Sequence, residues 1–134
     1  MTAKIMVNLQ DVTKIYEGKV MSRALNRLHF QAEEGEFVAV MGPSGSGKTT
    51  MLNLISTIDL PTYGQIKIDD IEPEMLSKNE LALFSRRNLG FVFQEINLLN
   101  MLTVEENIVL PLTLDGLAIA EMERRVSVIS ERLG

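Results

Sequence analysis

The chain has 134 residues, contains no cysteine, and carries a formal net charge of −5 from 13 Lys plus Arg against 18 Asp plus Glu. Without cysteine, disulfide scaffolds and thiolate metal sites are excluded, and the missing basic excess argues against a nucleic-acid-binding surface. With 46% hydrophobic residues, a chain of this length buries one modest core, which indicates one domain or part of one.

No segment has the pattern of a membrane span or a secretory signal peptide. The longest apolar runs, residues 37–41 and 108–114, are short and are broken by Gly42 and Pro43 or by Pro111. Residues 1–7 contain a single Lys and no long apolar run. We therefore expect a soluble chain that is not exported.

The first predicted elements are two half-buried strands. Val7, Leu9 and Val12 alternate with polar residues, residues 24–32 show a similar alternation, and residues 17–19 (Glu-Gly-Lys) predict a turn between them. A continuous apolar run then follows at residues 37–41. Its length favours a strand buried on both faces, as is usual in parallel sheets.

The middle of the chain predicts a helix, a short strand, a second helix and a further buried strand. After a glycine-rich stretch, apolar residues recur at helical spacing over residues 48–57, and residues 65–68 alternate as a strand does. Ser77 and Glu80 have the spacing of a capping box and open a helix to about Arg87. Residues 89–93 form another apolar run that predicts a buried strand.

The last part of the chain predicts two helices. Thr103 and Glu106 repeat the capping-box spacing, and Pro111 should bend or end that helix within two turns. From Ile119 the apolar positions recur at steps of three or four, which predicts an amphipathic helix capped by Gly134. No repeat or linker-like segment gives a reason to divide the chain.

Residues 42–49, Gly-Pro-Ser-Gly-Ser-Gly-Lys-Thr, match the phosphate-binding pattern G-x-x-x-x-G-K-[ST]. The glycines let backbone N–H groups point at phosphate oxygens, where the helix N-terminus adds partial positive charge. Lys48 would neutralise the β- and γ-phosphates, and the Thr49 hydroxyl would complete the coordination of Mg²⁺. From these residues alone, a kinase, a GTPase and a transport ATPase all remain open. The nucleotide-binding residues expected in this loop are Gly42, Pro43, Ser44, Gly45, Ser46, Gly47, Lys48, Thr49 and Thr50.

Four segments together resemble the ATP-binding subunit of an ABC transporter, over nearly the whole chain. They are Tyr16, the phosphate loop, residues 56–66 (STIDLPTYGQI) and residues 89–94 (LGFVFQ). The resemblance implies an α/β fold: a P-loop NTPase core with an N-terminal antiparallel β subdomain and the start of a helical subdomain. It also implies ATP and Mg²⁺ as cofactors.

The resemblance assigns roles outside the phosphate loop as well. An aromatic ring at the position of Tyr16 stacks on adenine in that family. Gln94 matches the glutamine that reaches Mg²⁺ or the attacking water, so it joins Lys48 as an expected catalytic residue and Thr49 as an expected metal ligand. Ile96 and the apolar residues up to Leu102 lie where the transmembrane permease subunit would dock. A second ATP-binding subunit would close over the nucleotide in a head-to-tail dimer, at the cytoplasmic face of the membrane.

Three motifs of that family do not occur before Gly134: the Leu-Ser-Gly-Gly-Gln-type signature, the apolar strand that ends in Asp-Glu, and the switch His. The binding residues are therefore present and the hydrolysis residues are not. We expect residues 1–134 to be the N-terminal part of an ABC-type ATP-binding domain, incomplete at its C-terminus. The apolar strands at residues 37–41 and 89–93 would then lack parallel neighbours.

Residues 56–59, 97–99 and 103–108 look most like the branch of the family that handles antimicrobial peptides, lipoproteins or macrolides, with the peptide-resistance type as first choice. A rival hypothesis is a truncated nucleotide-binding module that does not hydrolyse ATP. A third, a P-loop kinase or GTPase, is disfavoured because the aromatic Tyr16 suits adenine.

Overall fold

The computed structural model describes residues 3–95 and 97–134. Ile96, part of the predicted docking segment, lies outside these residues, as do the first two residues of the chain. The described residues form two compact units, one extending to Phe91 and the other covering Val92–Gly134. The sequence showed no boundary at this point.

The first unit is built on a three-stranded antiparallel sheet. Its strands are β1 (Ile5–Tyr16), β2 (Ser22–Glu33) and β3 (Tyr63–Ile68), in the spatial order β2-β1-β3. Leu9 on the central strand pairs with Phe30 on one side and with Ile66 on the other. The predicted antiparallel β subdomain is therefore confirmed, and each strand extends further than its alternating pattern because residues on its flanks pair as well.

Two helices cover this sheet and complete its core. They are α1 (Lys48–Ile55) and α2 (Lys78–Asn88), and a short 3₁₀ helix lies at Pro73–Met75. Leu9 and Leu54 are each 1% exposed, and burying a leucine contributes roughly 1.5–3 kcal/mol. The core residues are Leu9, Val12, Leu25, Met51, Leu54, Ile66, Ile68 and Phe84.

The predicted capping box at the start of α2 is present. The Glu80 N–H donates to the Ser77 hydroxyl oxygen over 3.4 Å, and the Ser77 N–H donates to the Glu80 carboxylate over 2.9 Å. These bonds satisfy backbone donors that have no partner within the helix. The start of α2 therefore lies where the capping-box spacing predicts it.

Gly64, at the start of β3, passes very close to a bulge in β1. Asp11 in that bulge has a φ of 51°, and the register between β1 and β3 shifts between Gln10 and Thr13. Gly64 has a φ of 92°, and a Cβ there would overlap the backbone carbonyl of Asp11. Glycine is therefore required where the chain enters β3.

The buried strands predicted at residues 37–41 and 89–93 are wrong. Neither run is a strand, and Phe37 and Val92 are 97% and 95% exposed. The reason is that a strand exists only through hydrogen bonds to a neighbour. Within the part of the chain that the structure describes, β1, β2 and β3 pair only with each other, so neither apolar run has a sheet to join.

The second unit contains α3 (Val104–Leu114) and α4 (Ile119–Leu133). The predicted capping box is present, because the Glu106 N–H donates to Thr103 Oγ1 over 3.2 Å and the Thr103 N–H to Glu106 Oε2 over 2.7 Å. Of the two expectations for Pro111, that it bends or ends the helix, the second is wrong. The proline removes one donor, but its own carbonyl still accepts a bond from the Asp115 N–H over 3.2 Å, so α3 continues to Leu114.

The predicted amphipathic helix α4 is confirmed. Its polar side carries Glu121, which accepts hydrogen bonds from Arg124 over 2.8 Å and from Arg125 over 2.7 Å. These bonds lower the pKa of the Glu121 carboxyl to about 2. None of the helices in the described ranges has the length and apolar character needed to cross a membrane.

Candidate functional site

The phosphate loop leads directly into α1. Gly47 caps this helix with a φ of 90°, and its carbonyl oxygen accepts a bond from the Met51 N–H over 2.9 Å. A Cβ on Gly47 would lie 2.6 Å from the Ala24 carbonyl oxygen and 2.8 Å from Leu25 Cδ2. The loop therefore packs directly onto β2, and only glycine fits at this contact.

Lys48 is folded over the loop that precedes it. Its ammonium nitrogen donates to the carbonyl oxygens of Gly42 over 2.8 Å and Pro43 over 2.6 Å, and to Ser46 Oγ over 3.2 Å. A Lys ammonium has three donors, and here they all point at oxygens of the loop. The positive charge of Lys48 therefore lies where the loop would bind phosphate oxygens. Those oxygens would replace the loop oxygens as acceptors of the ammonium N–H groups.

An open pocket of about 590 Å³ lies between the loop and the beginning of β2. Six of the predicted nucleotide-binding residues line it, which brings most of the loop to one concave surface. The opposite wall was not predicted from the sequence, because nothing in the local pattern of β2 indicates that it faces the loop. The lining residues are Ser22, Arg23, Ala24, Ser44, Gly45, Gly47, Lys48, Thr49 and Thr50.

Arg23 adds a second cationic side chain to this pocket. It precedes Ala24, whose carbonyl oxygen meets Gly47, and it lines the pocket together with the loop residues. Its guanidinium donates one long bond to Asn26 Oδ1, over 3.3 Å.

Tyr16 lies next to the pocket wall, because it is the last residue of β1 and pairs with Ser22 of β2. Its side chain is in contact with two charged groups. The Tyr16 hydroxyl donates to Asp59 Oδ2 over 3.1 Å, and the Lys14 ammonium lies 5.1 Å from the centre of the ring. Tyr16 nevertheless remains 41% exposed, which leaves ring surface accessible for stacking.

The remaining predicted site residues are Thr49 and Gln94. Thr49 lies exposed in the first turn of α1, beside Lys48, whereas Gln94 is an exposed residue of the second unit. The described residues contain no cluster of three His, Asp or Glu side chains that could hold a metal. The Thr49 hydroxyl, together with oxygens of the nucleotide and water, would give the type of coordination that Mg²⁺ commonly adopts.

In the second unit, Asn107 organises the segment predicted to dock a permease. Its side chain accepts from the Leu99 N–H over 2.8 Å and donates to the carbonyl oxygens of Leu102 and Thr103 over 3.2 and 2.9 Å. Met101 in this segment is 89% exposed and Leu98 is 54% exposed. The segment thus presents apolar side chains on a hydrogen-bonded backbone, and its docking role stays a prediction.

Comparisons with known proteins show which family of chains this one is similar to. The family described as "ABC transporter" matches residues 25–134. The chain is 52% identical over 129 residues to the ABC transporter ATP-binding protein YxdL of Bacillus subtilis, covering 96% of this chain and 50% of that protein. It is 42% identical over 125 residues to the bacitracin export ATP-binding protein BceA of Halalkalibacterium halodurans, covering 92% of this chain and 49% of that protein. The chain therefore spans about half the length of the curated relatives it matches.

A solved structure shows the same fold. It is the dimeric, post-hydrolysis state of the ATP-binding cassette MJ0796, bound to ADP and Pi, from a protein of Methanocaldococcus jannaschii. The TM-score is 0.82 at 44% sequence identity, and the match covers 90% of this chain and 53% of that one. The sheet, the phosphate loop and the helices described above therefore correspond to part of such a cassette.

Proposed function

The chain belongs to the ABC transporter family, and on that premise we propose that it binds MgATP between its phosphate loop and Tyr16, as part of the ATP-binding subunit of a transporter. The observation that carries this proposal is the position of Lys48. Its ammonium lies among the loop carbonyls. The pocket beside the loop has Ser22 on its other wall, and Ser22 is the strand partner of Tyr16. Phosphate and base recognition are thereby assigned to adjacent surfaces.

Each residue has a distinct part in this binding. Backbone N–H groups of residues 42–47 and the N-terminus of α1 bind phosphate oxygens, while Lys48 neutralises the β- and γ-phosphates. Thr49 would provide a hydroxyl oxygen to Mg²⁺, and the ion would supply positive charge next to the phosphates. Tyr16 stacks on adenine. Gln94 is proposed to reach the metal or the attacking water.

In the intact protein, we propose that residues 1–134 form the N-terminal part of an ABC-type domain whose family members are generally ATPases. Hydrolysis would take place in a head-to-tail dimer with a second ATP-binding subunit, and the dimeric state of the related cassette supports this. A permease subunit would hold the domain at the inner face of the cell membrane and use the energy of hydrolysis. We propose no nucleic-acid partner, because the net charge of −5 disfavours one.

For the transported substrate, we propose the peptide-antibiotic type, within a branch that also includes lipoprotein and macrolide transport. The relative named for bacitracin export supports this choice. The alternative function is a truncated module that binds nucleotide without hydrolysing it. A steady-state ATPase assay on the intact protein separates the two, because only the transporter subunit turns over ATP.

The nucleotide assignment itself is tested by titrating the intact protein with MgATP, MgGTP and magnesium tripolyphosphate. We expect ATP to bind more tightly than GTP. We also expect Tyr16→Ala to weaken ATP much more than tripolyphosphate, because only ATP loses a stacking partner. Equal losses for both ligands would contradict the stacking role of Tyr16, and a preference for GTP would favour a GTPase.

A further inference from the structure

The ring of Tyr16 is held by two residues that the sequence analysis did not connect with it. Asp59 accepts the Tyr16 hydroxyl over 3.1 Å and, with its other oxygen, the Lys14 ammonium over 2.6 Å. The same ammonium lies 5.1 Å from the centre of the Tyr16 ring, within the range of a cation–π contact. The side chains of Lys14, Tyr16 and Asp59 are thus each in contact with the other two.

The segment that carries Asp59 is itself tied to the end of β1. The Thr62 N–H donates to the Thr13 carbonyl oxygen over 2.9 Å, and the Ile15 N–H donates to Thr62 Oγ1 over 3.0 Å. Lys14 also donates to the Leu60 carbonyl oxygen over 2.8 Å. Asp59 therefore approaches Tyr16 from a segment that cannot shift without breaking these bonds.

The two charges in this cluster, on Lys14 and Asp59, are of opposite sign and form an ion pair. The Lys14 and Asp59 side chains are only 13% and 30% exposed. Burial opposes ionisation of Asp59, but bonds from Lys14, the Leu60 N–H and Tyr16 outweigh it, so the pKa of its carboxyl lies below the ordinary value. At neutral pH, Asp59 is therefore an anion that accepts from both the ammonium and the phenol.

We infer that Asp59 and Lys14 are positioning residues, which fix the ring of Tyr16 with the ammonium on one face and leave the other face for adenine. The inference rests on the proposed nucleotide-binding function, since it concerns the orientation of the stacking residue. A ring that is already oriented loses less rotational freedom when a base stacks on it. Asp59 and Lys14 thus increase the affinity for the base without touching the nucleotide.

The experiment is calorimetric titration of the intact protein with MgATP and with magnesium tripolyphosphate. Tyr16→Phe keeps the ring and removes only its bond to Asp59, Asp59→Ala removes the anchor, and Lys14→Met keeps a long side chain over the ring without the charge. Tyr63→Phe is the matched control, because Tyr63 is the other tyrosine of the chain and is 66% exposed. Tyr16→Ala tests the stacking role itself.

We expect Tyr16→Phe and Asp59→Ala each to weaken MgATP about three- to tenfold, with tripolyphosphate and the Tyr63→Phe control unchanged. Lys14→Met should weaken MgATP in the same selective way. Combining Tyr16→Phe with Asp59→Ala should cost little more than Asp59→Ala alone, because both variants remove the same bond.

The inference is overturned if Asp59→Ala weakens both ligands equally, since that marks a purely structural residue. It also fails if Tyr16→Ala weakens ATP selectively while Tyr16→Phe has no effect, although the stacking role then stands. If Tyr16→Ala leaves ATP binding unchanged, the stacking role and the inference fail together. Should Asp59→Ala not fold, the comparison of Tyr16→Phe with Tyr63→Phe decides the question.

Discussion

Gly47 and Ala24 are in such close contact that a Cβ on Gly47 would lie 2.6 Å from the Ala24 carbonyl oxygen. This contact joins the phosphate loop to β2. It also sets the spacing between the loop and the residues at the beginning of β2, among them Arg23. The geometry of the pocket therefore depends on residue 47 being glycine, because no larger residue fits against Ala24.

We predict that Gly47→Ala destabilises the protein more than Gly45→Ala does. Both glycines have positive φ values, of 90° and 78°, so either substitution costs about 1–2 kcal/mol of backbone strain. Only Gly47→Ala adds a collision, with Ala24 and Leu25, which costs about 1–3 kcal/mol more. Urea unfolding of the two variants measures the difference, and equal losses in the free energy of unfolding would contradict the packing described here.

We predict that Arg23→Gln weakens MgATP binding about three- to tenfold, because the pocket loses one of its two cationic side chains. The affinity of the variant for MgATP should also depend less steeply on salt concentration, because salt then screens one fewer attraction between a cationic side chain and the phosphates. Titrations at two salt concentrations provide both readouts. Arg132→Gln, at the exposed end of α4, is the control. An unchanged affinity in Arg23→Gln would exclude this residue from nucleotide binding.

We predict opposite pH effects for two glutamates. Burial raises the pKa of the Glu74 carboxyl above 4.5, although the bond from the Ile66 N–H, at 3.1 Å, opposes the shift. As pH rises above 4.5, the unfolded chain loses this proton first, so the stability that Glu74 contributes is lost as pH rises through the folded-state pKa. Glu74→Gln should remove that loss, because its amide oxygen still accepts from Ile66.

Glu80 provides the matched comparison, because its bonds from the Ser77 hydroxyl and N–H lower the pKa of its carboxyl. The stability that Glu80 contributes is therefore present above pH 4.5 and is lost as pH falls through its folded-state pKa. Chemical unfolding of each Glu→Gln variant from pH 3 to 7 gives the two slopes relative to the parent protein. Slopes of the same sign would contradict the assignment.

Local sequence predicted those features that depend on neighbouring residues. The capping boxes at Ser77 and Thr103 lie where their spacing placed them, and the Gly-rich motif leads into α1 as expected. The strand predicted at residues 37–41 failed because pairing, rather than the run itself, makes a strand. Arg23 and Asp59 were missed for a related reason. Each meets the site through contacts between segments far apart in the chain, which no local pattern reveals.

The central claim is that Lys48 and its loop bind the phosphates of ATP, and the most direct test is calorimetric titration of Lys48→Ala with MgATP in the intact protein. Lys78→Ala, an exposed lysine at the start of α2, serves as the control. The account predicts that Lys48→Ala abolishes measurable MgATP binding while Lys78→Ala binds as the parent protein does. An unchanged affinity in Lys48→Ala would contradict the site.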